Sequence, residues 1–213
     1  VMIDIKDIQA AKSRIHDAVR HTPVLQVSQW RDPLPCRVTM KLELQQVTGS
    51  FKARGAMNRV RRLATAQLTH GLVTASGGNH GLAIARTGYV SGVPTKIFLP
   101  NNVAPDKIPK FKGWSADIEI GGSDFDEANR HALAYAEKTG ATYVHPFADK
   151  DVVAGQGTLG LEILEDIPDL DVVLVAIGGG GLAAGLGTAI KALRPDVRII
   201  GIEPVGAPTL HAA

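Results

Sequence analysis

Apolar residues recur at three- and four-residue spacings at Ile8, Ala11, Ile15 and Val19, behind an Asp4 placed to cap a helix, so the chain opens on an amphipathic helix. His21-Thr22-Pro23 ends it. Over residues 37–43 the period shortens to two, with Val38, Met40 and Leu42 on one side, which predicts a strand. Short β-rich runs follow at 72–74, 95–99, 117–120, 142–144, 172–177 and 197–202, alternating with helix-length segments at 79–90, 123–138, 152–164 and 181–193. That alternation predicts an α/β fold with right-handed crossovers and mostly parallel sheet covered by helices on both faces. No internal repeat or low-complexity linker marks a domain boundary.

Composition narrows the functional classes. With 213 residues, 45% hydrophobic and 21% charged, the chain has room for one large domain or two small ones. The formal charge is only +2 and the basic residues are scattered, so nucleic acid is not the expected partner, while a small anionic ligand stays open. Cys36 is the single cysteine, which excludes an intrachain disulfide and paired-cysteine metal patterns and suits a reducing compartment. No apolar run approaches the roughly 20 residues that cross a bilayer, and the start VMIDIKDIQ lacks the layout of a signal peptide. The expectation is a cytoplasmic protein without a membrane partner. Beyond the strand that ends at Glu203, a turn with Pro204 and Pro208 leads into a half-begun helix at Ala213, so a fragment of a longer protein is expected.

Candidate chemistry gathers at two glycine clusters, each at the carboxyl end of a strand and the start of a helix, where ligands sit in α/β sheets. The first is ASGGNHG, residues 75–81, and the second IGGGGLAAG, residues 177–185. Four consecutive glycines at Gly178, Gly179, Gly180 and Gly181 free their N–H groups beside a helix N-terminus, an anion site suited to phosphate. The competing explanation is a tight turn only. A dinucleotide is the rival ligand, because Gly178, Gly180 and Ala183 resemble the nicotinamide fingerprint and Glu203 could hold a ribose; that reading gives no work to Lys52 or the Asn79 loop. The first cluster offers the Ser76 hydroxyl, free N–H groups and the Asn79 amide, donors suited to a carboxylate, although Asn79 could equally be a helix cap and a lone His80 is most simply structural.

In VTGSFKARGA, residues 47–56, Lys52 and Arg54 fall in the first turn of a predicted helix directly behind Phe51. Cations there oppose the helix dipole, and the helix start and Arg54 would both disfavour a protonated Lys52. A neutral lysine amine is available for a Schiff base.

TGSFKARGA, SGGNHG, AGQGT (residues 154–158) and GGGGLAAG, in this order, resemble the serine/threonine dehydratase and serine racemase family, pyridoxal-phosphate enzymes of the tryptophan-synthase-β-like fold (fold type II), and within it the threonine dehydratases most. The resemblance implies that Lys52 carries the cofactor as a Schiff base, Phe51 lies against its ring, Asn79 bonds the phenolic oxygen, and Gly178–Gly181 with Leu182 hold the 5′-phosphate. It implies Ser76, Gly77, Asn79 and His80 as the carboxylate site, with Gln156 and Thr158 lining the cavity. It further implies a small domain over residues 70–142, a large one over 1–69 and 143–213 with the cofactor between them, and a homodimer. The implied reaction is β-elimination of threonine or serine to a 2-oxo acid and ammonia, with Lys52 taking the α-proton and the cofactor phosphate protonating the leaving hydroxyl.

Departures from the family pattern set the alternatives. The racemases' proton-donating serine corresponds to Gly77, which cannot donate, so racemisation is the lesser expectation; 3-hydroxyaspartate is a further possible substrate. Some relatives bind a divalent cation through a glutamate matching Glu203 and a nearby aspartate, but Thr209 stands in that place, so no metal site is assigned. The residue that faces the pyridine nitrogen in the family would lie beyond Ala213, which keeps open a non-catalytic relative that binds cofactor or an amino acid.

Overall fold

A computed structural model of the chain describes residues 2–28 and 34–212. Helix α1 (Ile5–Ile15) starts at Asp4, whose carboxylate accepts from Asp7 N at 3.0 Å while the Asp7 carboxylate accepts from Asp4 N at 3.1 Å, a reciprocal cap. Ile8, Ala11 and Ile15 are its buried stripe; Val19 falls in the turn beyond the helix end.

The strand expected over 37–43 shrinks to three residues. Strand β1 (Val24–Gln26) pairs antiparallel with β2 (Thr39–Lys41), and Met40 is exposed. The alternation there marks a two-stranded surface ribbon and not a core face. A 3-10 turn (Glu43–Gln45) leads to α2 (Lys52–Val60), then the short α3 (Thr65–Leu68).

Next come β3 (Leu72–Ala75), α4 (Asn79–Ser91), β4 (Thr95–Leu99), α5 (Ile108–Lys112), β5 (Asp117–Ile120), α6 (Phe125–Thr139) and β6 (Thr142–Tyr143). Their strands form one parallel sheet in the order β5-β4-β3-β6. Because side chains alternate along a strand, Leu72, Ile97 and Leu99 pack with Ala83, Ile84 and Ala85 of α4, while Val73, Ala75 and Phe98 pack on the opposite face with Ala128 and Ala132 of α6. This sheet is covered on both sides, as the pattern predicts.

The chain continues through α7 (Lys150–Asp166), β7 (Val172–Ala176), α8 (Gly181–Leu193) and β8 (Arg198–Ile202), with β7 and β8 a second parallel sheet. Val173 and Ile199 pack with Leu159, Ile163, Leu186 and Ile190 of α7 and α8. The other face carries exposed Leu174, Ile200 and Ile202. Among the described residues, helices cover one face of this sheet.

Helix α7 is buried on every side from Asp151 to Ile163, which requires neighbours to approach its backbone. A Cβ added at Gly155 would stand 2.6 Å from Gly55 Cα on α2, and one at Gly185 of α8 would stand 2.3 Å from Val153 O and 2.7 Å from Gly157 N. Backbone atoms cannot rotate aside as side chains do. Gly185→Ala is accordingly expected to cost about 1–3 kcal/mol through overpacking, read as a lower urea midpoint than the parent chain.

Candidate active site

The amino end of α2, the loops after β3 and β7, and the segment after β6 all lie at carboxyl ends of parallel strands or beside them. Lys52 is the first residue of α2, with Phe51 in the N-cap position. Its Nζ donates to Pro146 O at 2.7 Å and lies 5.3 Å from the centre of the Phe51 ring. Burial lowers the Lys52 amine from its ordinary 10.5 to about 8.

Arg54 contributes nothing to that shift, contrary to expectation. Its side chain has no exposure and runs away from Lys52 into an ion cluster. Nε and one terminal nitrogen donate to Glu43 at 2.9 and 2.7 Å, and the two terminal nitrogens donate to Glu162 at 2.5 and 2.9 Å. Lys41 adds bridges to Glu162 at 2.9 Å and Asp166 at 2.8 Å. Burial alone would lower the guanidinium, but the hydrogen bonds it donates to Glu43 and Glu162 more than reverse that. The basic pair in the motif thus divides its work: Arg54 anchors the helix start and Lys52 is left for chemistry.

In the first glycine cluster, Gly78 is the N-cap of α4 and makes no side-chain cap, while Asn79 is the first helical residue and exposed. The cap alternative for Asn79 therefore fails, and its amide remains open to a ligand. Gly78 N donates to Ser76 Oγ at 3.2 Å, and Gly77 adjoins them. His80 is different. Its imidazole is buried with Nε2 3.0 Å from Val144 O, so Nε2 carries the proton, and burial lowers its pKa to about 3. The ring stays neutral and committed to the interior, so what His80 offers a ligand is its main-chain N–H in the free first turn.

In the second cluster Gly180 is the N-cap of α8 at φ 79°, a left-handed conformation that favours glycine. A Cβ at Gly179 would strike the Phe147 ring at 2.3 Å, and one at Gly181 would lie 3.0 Å from Phe147 O. Three of the four glycines are thus required by packing or backbone alone, and only Gly178 has neither reason. Leu182 and Phe51 pack into the same apolar cluster, which ties the start of α8 to the start of α2.

Residues 145–149 carry no expected role and Val144 only that of a strand end, yet together they join the pieces. Val144 O accepts from Thr74 Oγ1 at 2.9 Å and faces His80, Pro146 O holds Lys52, and Phe147 underlies Gly179 and Gly181. The available signal was a His-Pro-Phe run at a strand end ahead of Asp149, which caps α7 through Asp151 N and Val152 N.

Gln156 and Thr158 are buried between α7 and α2 instead of lining an open cleft: Gln156 Oε1 accepts from Gly55 N at 3.1 Å and Thr158 Oγ1 from Arg54 at 3.3 Å. Both Glu203 oxygens accept main-chain N–H groups, from Leu210 at 2.6 Å and His211 at 3.0 Å, so Glu203 closes a turn.

The donor set fits a phosphorylated aldehyde: a half-buried amine of lowered pKa, an open amide, and a helix start whose Gly178 and Gly180 would leave any added Cβ in open space. A sequence model described as "Pyridoxal-phosphate dependent enzyme" matches residues 15–213. The chain belongs to the pyridoxal-phosphate-dependent enzyme family. Among curated members of this family, it is 41% identical to an L-threonine ammonia-lyase of Thermotoga maritima over its whole length and 53% of that protein. An L-threonine ammonia-lyase of Geobacter sulfurreducens is 42% identical over 96% of the chain and 51% of the relative. The chain therefore spans about half the length of these curated relatives. Two solved structures superpose closely on this chain. Maize serine racemase has a TM-score of 0.91 at 34% identity, covering 98% of this chain and 63% of that one. The processed form of threonine deaminase isoform 2 from Solanum lycopersicum has 0.92 at 37%, covering 97% and 56%.

The charges of Lys52 and Arg54 set two expected outcomes. Acylation of Lys52 in cofactor-free protein should be half-maximal near pH 8, and since the unfolded chain holds the extra proton between about 8 and 10.5, stability should rise with pH across that window. Arg54→Met leaves Glu43 without its cation and Glu162 with Lys41 alone, and should cost about 3–5 kcal/mol at neutral pH. Denaturant melts should show that deficit shrinking in acid, because Arg54 helps to hold the Glu162 carboxyl below its ordinary range in the parent chain and that contribution is lost once Glu162 is protonated.

Proposed function

We propose that the protein catalyses pyridoxal-phosphate-dependent β-elimination of a small hydroxy amino acid, threonine or serine, to a 2-oxo acid and ammonia. The observation that carries this is Lys52, a half-buried amine of lowered pKa held by Pro146 O between two glycine-rich helix starts. Phe51, Lys52, Asn79, Gly178–Gly181 and Leu182 would hold the cofactor, with Ser76, Gly77, Asn79 and the His80 N–H at the substrate carboxylate. When bound, pyridoxal phosphate supplies an electron sink that weakens the bond to the α-hydrogen.

Lys52 Nζ then accepts the α-proton, a role that needs the neutral amine, and a pKa of about 8 places that form within reach near neutral pH. The free N–H groups at the start of α4 orient the carboxylate, and those at the start of α8 favour phosphate. Residues 70–142 form the small domain and residues 1–69 with 143–213 belong to the large one, so that closure over the substrate excludes water. We place the protein in the cytoplasm as a homodimer. A similarity to serine racemase raises racemisation as the rival activity, but Gly77 carries no proton to deliver to the opposite face.

The full chain supplied with cofactor should show an absorption band at roughly 410 nm that is absent from Lys52→Ala and shifts with L-threonine or L-serine, followed by release of 2-oxo acid. D-serine from L-serine in place of 2-oxo acid would establish racemisation. No band in the wild-type chain would sink the proposal.

A further inference from the structure

We infer that His145 is a positioning residue that sets both halves of the cofactor site, by capping the turn that carries the Pro146 carbonyl and the Phe147 ring. This rests on reading Lys52 as the cofactor lysine.

Strand pairing ends where Val144 N donates to Val73 O at 2.9 Å, and α7 begins only at Lys150. Residues 145–148 belong to no regular element, and their N–H groups need acceptors. Two of them converge on one atom: Phe147 N and Ala148 N donate to His145 Nδ1 at 3.2 and 2.9 Å. The imidazole acts here as an asparagine does in an Asx turn, through an acceptor two bonds from Cβ. Since Nδ1 accepts, the proton sits on Nε2. The ring also stands edge-on to Phe147, with centroids 4.6 Å apart and planes at 88°, and at 6.1 Å from Tyr143.

What hangs on this turn is the site itself. The Pro146 carbonyl that holds Lys52 Nζ lies between the capping residue and the first capped N–H, and Phe147 is the surface against which Gly179 and Gly181 lie. Burial holds the imidazole below its ordinary pKa; Asp149 acts the other way and Lys52 adds to the lowering, so the acceptor form is kept. No other side chain among the described residues is bonded to the N–H groups of Phe147 and Ala148. If the cap is lost, Lys52 loses its fixed acceptor and the glycine loop loses its floor together.

The test compares His145→Asn, His145→Gln and His145→Ala in the full chain. Asparagine places Oδ1 where Nδ1 is, whereas glutamine carries its acceptor one bond too far. Each variant is checked for cooperative thermal unfolding. Three measurements follow: the pH midpoint of Lys52 acylation without cofactor, the Kd for pyridoxal phosphate, and the Kd for pyridoxamine phosphate, which cannot bond to the lysine and so reports the phosphate loop alone.

The expected result is that His145→Ala moves the acylation midpoint away from about 8 and weakens both ligands about tenfold or more, that His145→Gln follows it, and that His145→Asn stays close to wild type. An alanine variant that folds and keeps all three values, or an asparagine variant no better than alanine, overturns the inference. Should alanine fail to fold, the asparagine and glutamine pair decides, and equal behaviour overturns it. If the wild-type chain binds no pyridoxal phosphate the functional reading fails, while the midpoint in cofactor-free protein still reports on His145.

Discussion

The buried guanidinium of Arg54 is the constraint on which the site depends. A cation without exposure persists only where carboxylates meet it with good geometry, and here Glu43 and Glu162 come from two different parts of the chain. They bring the first turn of α2, the turn before it and the carboxyl half of α7 to one point. Lys52, two residues earlier on the same turn, inherits that placement. Gly55, one residue later, meets α7 backbone to backbone. The position of the reactive amine is therefore set by electrostatics on one side and by the absence of a side chain on the other.

Burial, and not a neighbouring cation, makes the amine available. Arg54 is neutralised by its own partners, so its charge does not reach Lys52. The same separation appears at His80, whose ring is kept neutral inside while its N–H stays with the helix start. In both motifs a polar side chain stabilises the scaffold and an adjacent group on the same turn is left for ligand.

Much of this was legible because periodicity and caps are local. The Asp4 cap, the parallel strands of residues 72–143, the helix beginning at Lys52 and the two glycine turns follow from patterns a few residues wide. The helix expected from residue 123 begins at Phe125, where Asp124 caps it through Glu127 N. Ribbon β1 was not legible, since three exposed residues carry no alternation of burial. Nor was the work of residues 144–149: Val144 and Pro146 act through carbonyls, which every residue has, so identity gives no warning. The direction of Arg54 was hidden because its partners lie 11 and 108 residues away. The number of glycines in the second loop invited a phosphate explanation, yet Phe147 accounts for two of them and the turn for a third.

The contacts along α7 also decide where this protein can yield. At Gly55 with Gly155, and Gly157 with Gly185, main chain lies on main chain, so no rotamer change can absorb a sliding of one helix past another. Helices α2, α7 and α8 make a stiff frame, and the amine on α2 keeps its distance from the start of α8. The loop at Gly78 and Asn79 has no such contact: it is exposed, makes no side-chain cap, and leaves open space where a Gly78 Cβ would stand. A ligand in the proposed site would have one wall of interlocked main chain and one without such contacts.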